Sequence, residues 1–487
     1  MNKTLKQSIN NFIKTITYIL VIAVLFQCKN SVNNLELEKL YYPTATKDAI
    51  ILPILNADLK GENAQKIVSH CKIIGNAELN WSVEIEQTDD YDIVLNYSVL
   101  ENGASAIISS AGKTTSHNLE ITKGRAIKYP FNWRLNMERK LIGQISLTKG
   151  LNALNLSLNV SNEQIETNIS SLELIPSSKK KLIANDLKRI ESIRPDMKWF
   201  SKLRYGAMFH WTSEAMPLSG EPKSYKEAVK DFDVDAFAVM VEKMGVDYII
   251  FTGCHAQPHF PGPLKQWEKE FPGMTTERDL ISEISDALKK KNIKFILYLS
   301  THIYGKLKDV EQDEFERLNF ELISEIGEHY KDKIDGYWFD GWYQCHEKFP
   351  TFDYEKFYNI SKIGNPNRLL ALNTWLYPIN TQWQDYWAGE LYTEGVPQSQ
   401  SICQTGPAKG LQFHHLVVLQ TDEGWVHTKM NTRIASPSYT NEELVKYISS
   451  CHEIGPITLN MSIYQDGTVG EEALEFMKNV KTHFKNN

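Results

Sequence analysis

From residue 204 to the C-terminus, apolar strand patterns alternate with amphipathic helix patterns, and this alternation restricts the fold more than any other feature. VDYIIFTG (246–253) and IKFILYLS (293–300) are nearly continuous apolar runs, as expected of buried parallel strands. Strands that alternate with helices predict βαβ units. Eight strand positions can be filled, the weakest at 385–395, so we predict a (β/α)8, TIM-like barrel over residues 197–487.

The preceding part of the chain has a different periodicity. WSVEIEQ (81–87) and YDIVLNYSV (91–99) alternate apolar with polar residues, and turn-forming Asn, Gly and Asp separate such runs. Short alternating strands predict an all-β jelly-roll sandwich, which we place at residues 48–177. The Lys-rich stretch that follows changes character, so we expect a linker at 178–196. The protein is thus expected to be multidomain.

The N-terminus has the features of an export signal. Three lysines precede the apolar run ITYILVIAVLF (16–26), which has the length of a signal-peptide core. Leu25 stands three residues before Cys28, as in bacterial lipoprotein signals. We therefore expect a lipoprotein-type signal peptide at 1–28, lipidation of Cys28 and a tether at 29–47. The alternative is an uncleaved anchor, and either places the protein outside the cytoplasm, in the periplasm or on the cell surface, bound to a membrane. A net charge of -7 gives no sign of nucleic-acid binding.

Polar and aromatic residues follow the predicted barrel strands, at the rim where (β/α)8 enzymes place their active sites. The clearest case is DGYWFDGWY (335–343), in which an apolar run ends at Asp340. Aromatic rings beside a carboxylate suit the C–H faces and hydroxyls of a sugar. The candidates for substrate binding at the strand ends are His210, Trp211, His255, His259, Tyr298, His302, Trp342 and Trp375.

Hydrolysis of a glycoside requires two carboxyl groups, one as nucleophile or base and one as proton donor. Asp340 fits the first role, because a strand end can aim it at the anomeric carbon. Glu394 and Glu390 are the candidates for the second, and Glu214 is a weaker third.

Residues from about Trp199 onwards resemble glycoside hydrolase family 29, which contains the α-L-fucosidases. YGAMFHW resembles the family's first-strand motif FGIFIHWG, and DGYWFDGWY resembles DGLWFDG, whose aspartate is the nucleophile. The resemblance implies a retaining mechanism in which Asp340 attacks the sugar, a glutamic acid protonates the leaving group, and His210, Trp211 and His255 contact the sugar. The segment at 48–177 resembles carbohydrate-binding modules, and its Trp81 and Trp133 are either ligand platforms or, more commonly for tryptophan, core residues.

The second-strand motif departs from the family pattern. The family has a His-His-Asp-Gly run, whereas this chain has His255, Ala256 and Gln257, and His259 could reach into the resulting gap. Because such positions hold sugar hydroxyls, the change puts fucose itself in doubt. We predict an exported, retaining exo-α-L-fucosidase, or a relative that acts on a similar sugar of a glycan or polysaccharide, without a cofactor.

Two alternatives remain. One is a surface lipoprotein that binds glycans through a barrel that has lost catalysis. The other is a metal hydrolase that uses His255, His259 and His302, although no acidic ligand completes the set, so we expect no metal.

Overall fold

The computed structural model describes residues 49–67, 70–122, 137–301, 310–342, 348–349, 351–375, 379–390, 401–403, 408 and 410–486. The predicted signal peptide, Cys28 and the tether lie outside these residues. So do Trp133, His302 and Glu394. Within the described part of the chain, every helix is too short or too polar to cross a membrane.

The N-terminal region consists mostly of β-strands in antiparallel sheets, as predicted. Its strands are β1 (Ile50–Pro53), β2 (Asp58–Lys60), β3 (Ala64–Ile67), β4 (His70–Ile74), β5 (Ala77–Ile85), β6 (Asp89–Val99), β7 (Ala104–Ser110), β8 (Lys113–Asn118), β9 (Glu138–Leu147), β10 (Gly150–Val160) and β11 (Glu166–Pro176). One sheet has the order β3-β4-β11-β6-β9, with β1 on β11, and the other has the order β2-β5-β10-β7-β8.

One apolar cluster joins the two sheets. Leu79 and Trp81 of β5 contact it from one sheet, and Ile93 and Leu95 of β6 from the other. The indole nitrogen of Trp81 donates a hydrogen bond to the carbonyl oxygen of Pro53 at 3.3 Å. Trp81 is therefore a core residue rather than a ligand platform.

The C-terminal region contains a parallel sheet, as the alternating pattern predicts. Its strands are β12 (Tyr205–Phe209), β13 (Tyr248–Thr252), β14 (Lys294–Ser300), β15 (Gly336–Asp340), β16 (Leu369–Leu372), β17 (His415–Val418) and β18 (Ile457–Asn460). They have the order β16-β15-β14-β13-β12-β18-β17. The strands are almost entirely buried, which explains why their sequences are continuous apolar runs.

The described part of the weakest predicted strand position, residues 385–390, lies between β16 and β17. The backbone N–H of Asp385 donates to the carbonyl of Leu370 at 2.8 Å, on the β16 side. The N–H of Trp387 donates to Gln412 at 2.9 Å, and the N–H of Leu416 donates to Gly389 at 2.9 Å, on the β17 side. Residues 385–390 thus hydrogen-bond to a neighbour on each flank, whereas 391–395 lie outside the described residues.

Helices follow the strands and cover the sheet. They are α1 (Lys180–Ile193), α2 (Lys198–Ser201), α3 (Tyr225–Asp231), α4 (Val234–Met244), α5 (Lys265–Glu270), α6 (Leu280–Lys289), α7 (Gln312–Tyr330), α8 (Tyr354–Ser361), α9 (Asn441–Ser450) and α10 (Glu471–Asn486). Helix α4 begins where the side chain of Asp233 accepts from the N–H of Ala236, and it ends at Gly245, whose φ of 74° suits glycine. Helix α1 occupies the predicted linker.

Candidate active site

Asp340 lies at the C-terminal end of β15, where the parallel register surrounds it with donors. Oδ2 accepts a hydrogen bond from the hydroxyl of Tyr298 at 2.7 Å. Oδ1 accepts from Nδ2 of Asn373 at 2.8 Å and from the N–H of Gly341 at 2.8 Å. Tyr298 comes from the preceding strand, while Asn373 follows the next one, directly after Leu372, which pairs with Phe339. The hydrogen bonds from Tyr298, Asn373 and Gly341 together hold this carboxylate in one orientation.

A second carboxyl group lies within reach of the first. Nδ2 of Asn373 also donates to Oε2 of Glu390, which forms a bridge with Leu416 of β17. Because both carboxyl groups bind the same nitrogen, their two bonded oxygens are at most about 6 Å apart, twice the length of an ordinary hydrogen bond. That limit allows the separation of about 5–5.5 Å between the carboxyl groups of retaining glycosidases.

The two carboxyl groups differ in their electrostatic environment. Burial raises the pKa of Glu390 to about 8, the negative charge of Asp340 acts in the same direction, and the hydrogen bond from Asn373 partly opposes both. Glu390 therefore keeps its proton to a higher pH than an ordinary carboxyl group. A proton donor beside an oriented aspartate is the division of roles that a glycosidase needs.

His210 follows β12 and is held as a neutral ring. Burial, followed by the neighbouring His255, lowers the pKa of His210 to about 3. Its Nδ1 lies 2.7 Å from Oδ1 of Asn460, while Nδ2 of Asn460 donates to the carbonyls of Gly424 and Trp425, both at 3.4 Å. These carbonyls fix the Asn460 amide, so Nδ1 of His210 carries the proton and Nε2 is the acceptor.

Aromatic rings surround His210. Its ring centroid is 4.8 Å from Tyr298, 5.6 Å from His255 and 5.4 Å from Trp425. Tyr298 in turn stacks on Trp338 at 5.4 Å. Burial, followed by the charge of Asp340, raises the pKa of Tyr298 well above its usual value, so its hydroxyl remains a donor. Aromatic rings with a few polar edges form a suitable wall for a sugar.

A small pocket lies beside this wall, and Trp211, Glu214, His255, Gln257 and His259 line part of it. Burial lowers the pKa of His259, whose ring is 4.7 Å from that of Tyr225.

The structure brings some predicted site residues together and separates others. Asp340, Glu390, His210, His255 and Tyr298 share one neighbourhood. His259 and Trp211 lie at the adjoining pocket, although the Trp211 ring is almost fully buried and its indole nitrogen donates to the Gln465 carbonyl at 3.0 Å. Trp375 is partly buried, and its N–H donates to Oδ1 of Asn373 at 2.9 Å.

A direct sugar contact for Trp342 is contradicted. Its side chain is completely buried, among Phe315, Phe352 and Phe357. The prediction placed it correctly after β15, but the ring turns into the core behind the strand.

Sequence reasoning missed the roles of Asn373 and Asn460 and the presence of Trp425. The two asparagines do stand at strand ends, which was a usable signal. Trp425 is in a long loop after β17, and no periodicity points to it. Within the described ranges, no group of three or more His, Cys, Asp or Glu side chains could hold a metal ion.

Comparison with known proteins gives a consistent result. The family model described as alpha-L-fucosidase matches residues 223–487. The tissue alpha-L-fucosidase of Mus musculus is 22% identical over 197 residues, which are 32% of this chain and 43% of the mouse protein. That of Homo sapiens is 23% identical over 197 residues, 32% of this chain and 41% of the human protein. The chain spans less than half the length of these curated relatives.

Solved structures of fucosidases are also similar. An alpha-L-fucosidase GH29 from Bacteroides thetaiotaomicron has 16% identity and a TM-score of 0.44, covering 60% of this chain and 73% of its own. Unliganded alpha-L-fucosidase AlfC from Lactobacillus casei has 16% identity and a TM-score of 0.41, covering 61% and 100%.

The C-terminal region is thus a glycoside hydrolase domain of the alpha-L-fucosidase type. The chain belongs to the alpha-L-fucosidase family, glycoside hydrolase family 29, as its motifs predict.

Proposed function

We propose that the protein is a retaining exo-α-L-fucosidase, or a relative that cleaves a similar sugar from a glycan or polysaccharide. The observation that supports this most is the amide of Asn373, which binds Asp340 and Glu390 at once. Asp340 would attack the anomeric carbon and displace the leaving oxygen, and Glu390 would transfer its proton to that oxygen. The resulting glycosyl ester would then be hydrolysed by a water that Glu390, now ionised, activates.

Glu394 is the other candidate for the acid. The contacts and raised pKa of Glu390 favour it, and the two variants Glu390→Gln and Glu394→Gln separate the two assignments. Loss of the acid slows release of a poor leaving group much more than release of an activated aryl group, because only the former needs protonation. The variant that shows this selective loss identifies the acid.

The nucleophile is tested with Asp340→Asn. Turnover of an aryl α-L-fucoside should fall by several orders of magnitude, and azide should restore part of it. The azide product should have inverted configuration, because a single displacement replaces the double one. Glu277→Gln, a change at an exposed carboxylate, is the matched control. Full turnover by Asp340→Asn would refute the proposal.

The glycan-binding alternative makes a different prediction, namely binding without turnover. A panel of aryl α-fucoside, α-galactoside and β-arabinoside distinguishes the two functions and addresses the sugar, which the change to Ala256 and Gln257 leaves open. Activity that survives a chelator would dismiss a metal hydrolase.

We also propose that the C-terminal domain is a closed barrel, that the N-terminal domain is a jelly roll and that the protein is exported and lipid-anchored. The hydrogen bonds on both flanks of 385–390 support a closed (β/α)8 barrel, and the two antiparallel sheets support a jelly roll at 48–177. The N-terminal pattern supports export and a lipid anchor at Cys28, which mass spectrometry of the membrane-associated protein would test.

A further inference from the structure

The N-terminal β-domain has a second buried face that its own core does not explain. Ile93 and Leu95 of β6 fill the core between the sheets, so the alternate residues Asp92 and Asn96 point the other way. Both are nevertheless buried, as are Arg139 of β9 and Glu173 of β11. Because this polar face of the sheet is buried from solvent, another part of the protein must cover it.

The cover consists of helix α1 and the C-terminal domain. Ile183 of α1 packs against Val94 and Ile175 on this face. Met137, just before β9, belongs to the apolar core of the C-terminal domain. The two domains are therefore in close contact here.

Arg139 connects this face to residues 379–383, the segment that leads along the chain to Glu390. Its Nε donates to Oε1 of Glu173 at 2.8 Å, and Nη2 lies 2.6 Å from the same oxygen. Its Nη1 donates across the interface to the carbonyl of Ile379 at 3.2 Å. The side chains of Arg139 and Glu173 are 1% and 0% exposed, so this pair is ordered and its third bond has a fixed direction.

Two arginines of the linker contact the same segment. Nη2 of Arg194 donates to the carbonyl of Gln382 at 2.7 Å, and its Nη1 donates to Gly410 at 2.8 Å. The guanidinium of Arg189, in α1, lies 4.9 Å from the ring of Trp383. Three arginines from residues 139–194 thus contact three of the five positions at 379–383, namely Ile379, Gln382 and Trp383.

The segment is also held from within its own domain. The carboxylate of Asp385 accepts from the hydroxyl of Tyr358 at 2.7 Å, from Nζ of Lys362 at 2.5 Å and from the N–H of Leu370 at 2.8 Å. Only four buried residues separate Asp385 from Glu390. The arginine contacts at 379–383 and the bonds of Asp385 together fix the course of the chain that leads to Glu390.

We infer that Arg139 and Arg194 are positioning residues for catalysis, through which the N-terminal domain and linker set the position of Glu390 relative to Asp340. Both precede the residues that the family model matches, so they belong to this chain's own N-terminal region. The inference rests on the proposed function, in which Glu390 is the acid.

The test uses the full chain with Arg139→Met/Glu173→Gln, which removes the bond to Ile379 without leaving a buried charge unpaired. We expect kcat for a poor leaving group to fall at least about 10-fold, because small misplacements of a catalytic group are costly. KM should change little, and kcat for an activated aryl glycoside should fall much less. Arg139→Lys, which keeps the charge beside Glu173 but not the planar fork, is the second variant in case the first does not fold.

The matched control is Lys180→Met/Asp92→Asn. It removes another pair between α1 and the same sheet face, 2.7 Å apart, which does not touch 379–390. A purely structural role for the interface predicts equal losses of Tm in both double variants and unchanged kcat per active site. That result would overturn the inference. So would an equal loss of kcat for the poor and the activated leaving group in the Arg139→Met/Glu173→Gln variant. If Glu390→Gln itself shows no leaving-group dependence, the proposed acid is wrong instead, so the two failures are distinguishable.

Discussion

Glu390→Gln should stabilise the protein, and increasingly so as pH rises. In the unfolded chain the carboxyl ionises near its ordinary pKa of 4.5, whereas in the folded protein its pKa is about 8. Between these values the folded state binds a proton that the unfolded state releases, so stability falls as pH increases. The effect is absent well below pH 4.5, and it is complete above pH 8.

The magnitude follows from the two pKa values. Each tenfold difference in proton affinity corresponds to about 1.4 kcal/mol, so Glu390 lowers the free energy of unfolding by about 1 kcal/mol at pH 5, 3 kcal/mol at pH 7 and 5 kcal/mol at pH 9. Glutamine has the shape of the neutral acid, can accept the bond from Asn373 and does not ionise. The variant therefore gains these amounts relative to the wild type.

The assay is urea unfolding at pH 5, 7 and 9, with the free energies of wild type and variant compared at each pH. Glu277→Gln, at an exposed site, controls for the loss of a surface charge. A difference that stays constant or shrinks between pH 5 and pH 9 would refute the argument that Glu390 is held neutral.

Three further predictions concern the same site. The wild-type kcat/KM should decline above about pH 8, since the acid loses its proton there, as a pH–rate profile with an activated and a poor leaving group would show. Asn373→Ala should move this decline to higher pH, because the lost hydrogen bond favours the charged form of Glu390; a shift to lower pH would contradict the bond's direction. Tyr298→Phe should reduce kcat/KM about 10- to 100-fold with little change in Tm, since it removes one bond to a charged carboxylate but keeps the ring stack; unchanged kinetics would exclude a role for the hydroxyl.

Local pattern predicted much of the fold. Continuous apolar runs identified β13, β14 and β15, and alternating runs identified β5 and β6, because strand periodicity depends on which faces are buried. Within the weakest prediction, at 385–395, the described residues 385–390 have bonds on both flanks but little regular strand. Their position depends on neighbours at 370 and 412–416, which no local pattern contains.

The sequence predicted which residues belong to the candidate site better than it predicted the contacts between them. A strand that ends at Asp340 and a family motif sufficed to select this residue as the candidate nucleophile. They could not select between Glu390 and Glu394, and they assigned Trp342 to the sugar although its ring lies in the core. Side-chain direction at a strand end depends on packing behind the strand.

The sequence by itself determined the two kinds of domain, the family and the set of polar residues that stand at strand ends, since each is a property of neighbouring residues. Only the tertiary structure decided that one amide binds both carboxyl groups, that burial raises the pKa of Glu390 and that Arg139 reaches Ile379. These depend on strand register and on burial, which arise when residues far apart in the chain come together.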